Sequence, residues 1–140
     1  MIPRAVQELF NLIRADKAQR KTTVYASFLQ IYKEKILDLL NSNTYAKAPH
    51  QFEGLRLRWR VNGSYSVDSL YNFECPSEEE VMGLFQHGLR NRVVGSHKLN
   101  NASSRSHTIF TLTLETVDPN KPDNLIVSKL QLVDLAGSER

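Results

Sequence analysis

Ile2, Val6, Leu9, Phe10 and Ile13 recur at helical spacing, and Pro3 stands where a first turn tolerates it. This predicts an amphipathic helix over residues 3–17. The next apolar stretch, KTTVYASFLQIY, changes period: Val24, Ala26 and Phe28 alternate with Tyr25, Leu29 and Ile31, so both faces are largely apolar. That pattern suits a strand buried on both sides in the middle of an α/β sheet. KEKILDLL, which follows, is expected to close as a short helix or turn.

From Asn41 to Gln51 the chain is polar and loop-like. In LRLRWRVNGSYSV, Asn62-Gly63 between two alternating runs is a strong hairpin signal, with Leu55, Leu57 and Trp59 facing one way and Arg56, Arg58 and Arg60 the other. SLYNFEC reads as a further short strand. Ser77, three residues before Glu80 and just ahead of Val81, Leu84, Phe85 and Leu89, is a capping box opening a second helix that Gly83 and Gly88 weaken. A strand is predicted over 107–117, DPNKPDN as a surface turn, and LIVSKLQLVDL as a last strand with Leu130, Leu132 and Ile126 inward. No internal repeat interrupts this order of helix, strand, hairpin, helix, strand, strand, which suits an α/β architecture.

Composition narrows the class without naming a function. A chain of 140 residues, 41% hydrophobic and 24% charged, is the size and make-up of one soluble globular domain. Its net charge of +3 permits an acidic partner without demanding one. The single cysteine, Cys75, excludes an internal disulfide and a cysteine-cluster metal site, and suits a reducing compartment. No apolar run approaches the roughly 20 residues needed to span a bilayer, and the N-terminal residues lack a signal pattern. A cytoplasmic setting is expected. VDLAGSER stops directly after a strand and the chain opens on a helix, so an interior piece of something larger is also expected.

Two polar stretches carry the candidate chemistry. In VDLAGSER, Asp134 would sit at the carboxyl end of a hydrophobic strand, where α/β sheets bind ligands and a carboxylate can hold hydrated Mg²⁺. Gly137 would let the backbone offer its amide to a phosphate. Taken alone, this segment reads first as a strand ending in a solvated turn. NNASSRSH, Asn100 to His107, concentrates hydroxyls that could reach Mg²⁺ or water and a guanidinium that could clamp an anion. Alone, it reads first as a flexible polar connector or a kinase substrate. On neighbouring strands in this order, the two support each other.

At these residues the chain resembles the kinesin motor domain. NNASSRSH is similar to the family's first switch loop and VDLAGSER to its second; FLQIYKEKILDLL, IPRAV, PSEEEVMGLFQHG and NRVVGSHKLN follow in family order, covering nearly the whole chain. The resemblance implies a P-loop NTPase fold of the kinesin type, with a partial central mixed sheet flanked by helices. Residues 1–140 would be a partial motor domain, from the helix after the P-loop through the second switch. ATP and Mg²⁺ are the implied cofactors, and microtubules the implied partner, in cytoplasm and cytoskeleton. Nucleic acid is disfavoured by few basic residues and dispersed aromatics; no membrane partner is expected.

By resemblance, Ser103 and Ser104 close over the γ-phosphate, Ser104 reaching the Mg²⁺–water network. Arg105 pairs with Glu139 to align the attacking water, Asp134 holds the Mg²⁺ shell, Gly137 gives its amide to the γ-phosphate, Asn100 orders the loop, and Arg92 braces it. Arg56, Arg58 and Arg60 are either a solvated strand face or, by resemblance, a contact with tubulin. The family's phosphate-binding run, G-x-x-x-x-G-K followed by Ser or Thr, is not among these 140 residues. Two readings stand: part of an ATP-driven microtubule motor, inactive as an isolated chain, or a short non-catalytic relative serving as a binding module.

Overall fold

The computed structural model describes residues 2–16, 20–93 and 106–134. Helix α1, Ile2–Arg14, precedes strand β1, Lys21–Tyr32, and the short strand β2, Lys35–Asp38. Strands β3, Leu57–Trp59, and β4, Tyr65–Val67, form a separate hairpin, followed by β5, Phe73–Glu74. Helix α2, Glu78–Arg90, leads towards strands β6, His107–Asp118, and β7, Lys121–Asp134. The sheet runs β2-β1-β6-β7, with β5 also on β1, and every described ladder is antiparallel.

β1 is central because both of its edges are occupied. β6 pairs along Lys21–Ile31, while β2 and β5 share the other edge. The even-numbered side chains Val24, Ala26, Phe28, Gln30 and Tyr32 are buried under the helices. Phe28 stacks on Phe85 of α2 at 5.4 Å and meets Phe110 of β6 edge-on at 5.0 Å, so one aromatic cluster joins both layers. Gly88 is part of this packing rather than a defect in the helix, because a Cβ there would run into the Phe28 ring. Ser77 caps α2 as the sequence implies, its hydroxyl accepting from Glu80 N–H at 3.3 Å.

Three expectations change. KEKILDLL forms no helix but does turn: Lys33 and Glu34 have positive φ (50° and 66°) and reverse the chain, and Lys35–Asp38 then pairs with β1 as β2. Two successive residues with positive φ make a turn matching the twist of a tight hairpin. The surface turn at DPNKPDN is shorter than expected, since β7 begins at Lys121. Ile126 shares the inward, helix-bearing face with Leu130 and Leu132 but is not buried: it is 53% exposed beside an open recess lined by Leu9, Leu12 and Ile13 of α1. Leu130 and Leu132, nearer the helices, do pack against the core.

Candidate functional site

The β6–β7 ladder puts Thr108 directly beside Asp134. NNASSRSH runs into the start of β6, and the sequence after Asp134 leaves the end of β7, so both polar motifs adjoin the same end of one antiparallel pair. The turn between the two strands is closed by Asn120 N–H donating to the Asp118 carboxylate at 2.9 Å, and an irregularity between Val117 and Asp118 shifts the pairing into this register. Asp134 is exposed, whereas Thr108 is buried. Both border a recess of about 350 Å³ whose floor includes Phe85, Leu89, Phe110 and Leu132. Asn100, Ser103, Ser104, Arg105, Gly137 and Glu139 lie outside the described residues.

The approach to the first motif is held by residues that sequence reasoning missed. Gln30, fully buried in β1, donates to Val93 C=O at 2.8 Å and accepts from Val93 N–H at 2.9 Å. Its amide thus satisfies both backbone groups of one residue just after α2. Asn91 donates to Leu39 C=O at 2.8 Å, and Tyr45 hydroxyl donates to Asn91 C=O at 3.1 Å. Arg92, expected to brace this segment, is exposed at the end of α2. The available signal for Gln30 was a lone amide in phase with Val24, Ala26, Phe28 and Tyr32.

Asp38 is the other buried tie. Its carboxylate accepts from Leu40 N–H at 2.9 Å and Tyr71 N–H at 2.8 Å, joining β2 to the segment before β5. Burial raises its pKa, and these two backbone donors act against that rise. Burial, aided by the Asp38 charge, pushes the Tyr45 hydroxyl up to about 12, so it serves as a neutral donor. Burial, with Glu80 and Glu74 nearby, pushes the Cys75 thiol up to about 11, which removes its nucleophilic thiolate at neutral pH.

Among the described residues, no group of three or more His, Cys, Asp or Glu side chains could cage a metal. A single exposed carboxylate beside a hydroxyl-bearing strand end fits a cation that retains waters and shares its shell with a phosphate, as Mg²⁺ does. Asp134 and Thr108 are compatible with that arrangement.

The helix-covered antiparallel sheet thus carries an exposed carboxylate, Asp134, at the end of β7. The kinesin motor domain family matches residues 1–140. Kinesin-like protein KIN-4B of Arabidopsis thaliana is 35% identical over the whole chain, which covers 15% of that protein. Kinesin-like protein KIF15 of Homo sapiens is 38% identical, again over the whole chain and 10% of its own length. A solved structure of a fast kinesin superposes with TM-score 0.80 at 34% identity, covering all of this chain and 37% of that one. The chain therefore belongs to the kinesin motor domain family, and it spans a small part of the length of these relatives.

Proposed function

We propose that residues 1–140 form the γ-phosphate-sensing part of an ATP-driven motor that moves along microtubules in the cytoplasm. The observation that carries this reading is the Thr108–Asp134 register, which supports two switch motifs adjoining one strand end. Bound Mg²⁺–ATP supplies the transferable phosphoryl group and the cation that neutralises its charge. The chain's own residues would position and shield. Asp134 holds the cation's water shell, Ser103 and Ser104 offer hydroxyls, and Gly137 offers a backbone amide. Asn100 orders the first loop, and Arg105 with Glu139 forms a latch that aligns water and excludes bulk solvent. Phosphoryl transfer depends chiefly on such positioning and electrostatics.

The isolated chain is expected to show negligible turnover, because the glycine-rich phosphate run is not among its 140 residues. The test is a chimera in which these residues replace the matching segment of an active kinesin motor. Microtubule-stimulated turnover should persist, and Asp134→Asn should lower kcat by roughly 10²-fold or more. A chimera whose kcat ignores Asp134→Asn would contradict the assignment.

A further inference from the structure

Gln30 is the polar exception on the covered face of β1. Its inward-facing companions Val24, Ala26 and Phe28 are apolar, and Gln30 itself is 0% exposed. A methionine would fill similar space without the cost of burying an amide, so the amide is stable here only through its hydrogen bonds. Both go to one residue outside the sheet: Nε2 donates to Val93 C=O at 2.8 Å, and Oε1 accepts from Val93 N–H at 2.9 Å. Asn91 adds a tie beside it, its side chain donating to Leu39 C=O at 2.8 Å and its carbonyl accepting from the Tyr45 hydroxyl at 3.1 Å. The chain therefore leaves α2 at a place set by β1 and by the segment after β2.

The same residue stands in the row that ends at the candidate site. Gln30 of β1 pairs with Thr108 of β6, and Thr108 pairs with Asp134 of β7. Residues directly opposite one another in a ladder share a face, so the three stand in line on the helix-bearing side. With strands about 4.8 Å apart, two spacings separate Gln30 from Asp134, on the order of 10 Å. In sequence, residues 94–105 connect Val93 to Ser106 and carry Asn100, Ser103, Ser104 and Arg105. Gln30 thus holds Val93, at one end of that stretch, and lies opposite Thr108, just past the other end.

We propose that Gln30 is a positioning residue for phosphoryl transfer: it fixes the point at which the chain leaves α2 relative to the strand end that carries Asp134. The proposal rests on the motor reading above and adds to it a residue that acts through Val93 rather than by touching the nucleotide. A buried polar group whose partners are fully supplied specifies one arrangement more sharply than apolar packing does. Such definition matters here because a displacement of about 1 Å in a reacting group can cost on the order of 10²-fold in rate. A role confined to packing is disfavoured, because both polar atoms of the amide bond a residue 63 positions away and none bonds the sheet.

The test uses a chimera carrying these residues in an active kinesin motor, with competent sites counted by titration with N-methylanthraniloyl-ATP so that turnover is read per site. Gln30→Met keeps the side-chain length and removes both hydrogen bonds. It should lower microtubule-stimulated kcat per site roughly tenfold, with KM for ATP within about twofold of the parent. Gln30→Glu keeps an acceptor for Val93 N–H and should recover part of that loss. Thr22→Val removes the 3.1 Å hydrogen bond between Thr22 and Thr116 at the far end of the same ladder, and should leave per-site kcat unchanged. Combining Gln30→Met with Asp134→Asn should cost less than the product of the two single losses, since both act on one arrangement. Parental per-site kcat in Gln30→Met, an equal drop in Thr22→Val, or losses that multiply in full would each overturn the positioning role, while a response to Asp134→Asn leaves the motor reading standing. A chimera indifferent to Asp134→Asn would overturn the motor reading and this proposal with it. Should Gln30→Met yield no competent sites, Gln30→Glu decides alone: per-site kcat below the parent supports the role, and parental kcat overturns it.

Discussion

β1 and β7 are written in similar terms and end up in different surroundings. Both are long strands with apolar residues on both faces, yet β1 is mostly buried while Leu125, Ile126 and Val127 of β7 are about half exposed. The difference lies in neighbours. β1 has strands on both edges and α2 against its face; among the described residues β7 pairs with β6 alone, and α1 leaves an open recess beside Ile126 and Ser128 while Leu130 and Leu132 pack against the core. Alternation in sequence reports that a strand can be buried on both faces, while burial itself is supplied by what packs around it.

Truncating the centre of each strand breaks or sharpens this contrast most strongly. Phe28→Ala should cost about 3–5 kcal/mol, since it removes the ring shared by β1, β6 and α2. Ile126→Ala should cost well under about 1 kcal/mol. Urea unfolding of the two variants measures both, and equal losses would mean that β7 is as enclosed as β1.

A smaller effect is expected where α2 approaches β1. Gly88→Ala should cost about 1–3 kcal/mol through overpacking against Phe28. Phe28→Leu in the same chain should recover part of that loss, a coupling read from a double-mutant cycle. Gln30→Leu should cost about 1–3 kcal/mol by leaving the Val93 N–H and C=O unpaired. Amide exchange at Val93 should accelerate more than at Val24, which lies on the same strand as Gln30 but outside the clamp.

The hairpin supplies the smallest signal. The folded pKa of Asp68 is depressed, so its stabilising pair with Arg58 is present above the ordinary carboxylate range near 3.8 and is lost as pH falls through the lower folded value. Acid titration followed by NMR should therefore show the hairpin resonances moving below that range, and Asp68→Asn should abolish the transition. The core signals of β1 should not follow it.

What could be read from the sequence divides along the same line. The α1 register, the central character of β1, the Asn62-Gly63 hairpin and the Ser77 cap are local patterns, and each is present. β2 was ambiguous because Ile36, Leu37, Leu39 and Leu40 satisfy helical spacing as well as a strand, and the deciding feature is the backbone at Lys33 and Glu34. Gly88 could not be recognised as a close-approach residue until Phe28 was known to lie beneath it. Gln30 was hidden because its partner is backbone 63 residues away. For the site, the order of the two motifs was legible, and the Thr108–Asp134 register pairs the strand ends that flank them.

The central claim of the proposed function is that the segments following α2 and β7 act together as one γ-phosphate sensor, latched by Arg105 and Glu139. The most direct measurement is a charge swap in the active chimera. Arg105→Glu and Glu139→Arg should each lower microtubule-stimulated kcat by roughly 10²-fold or more. Combining them should restore at least about tenfold of that loss, because the ion pair is rebuilt in reverse. A double variant as inactive as the sum of the single losses would contradict the latch.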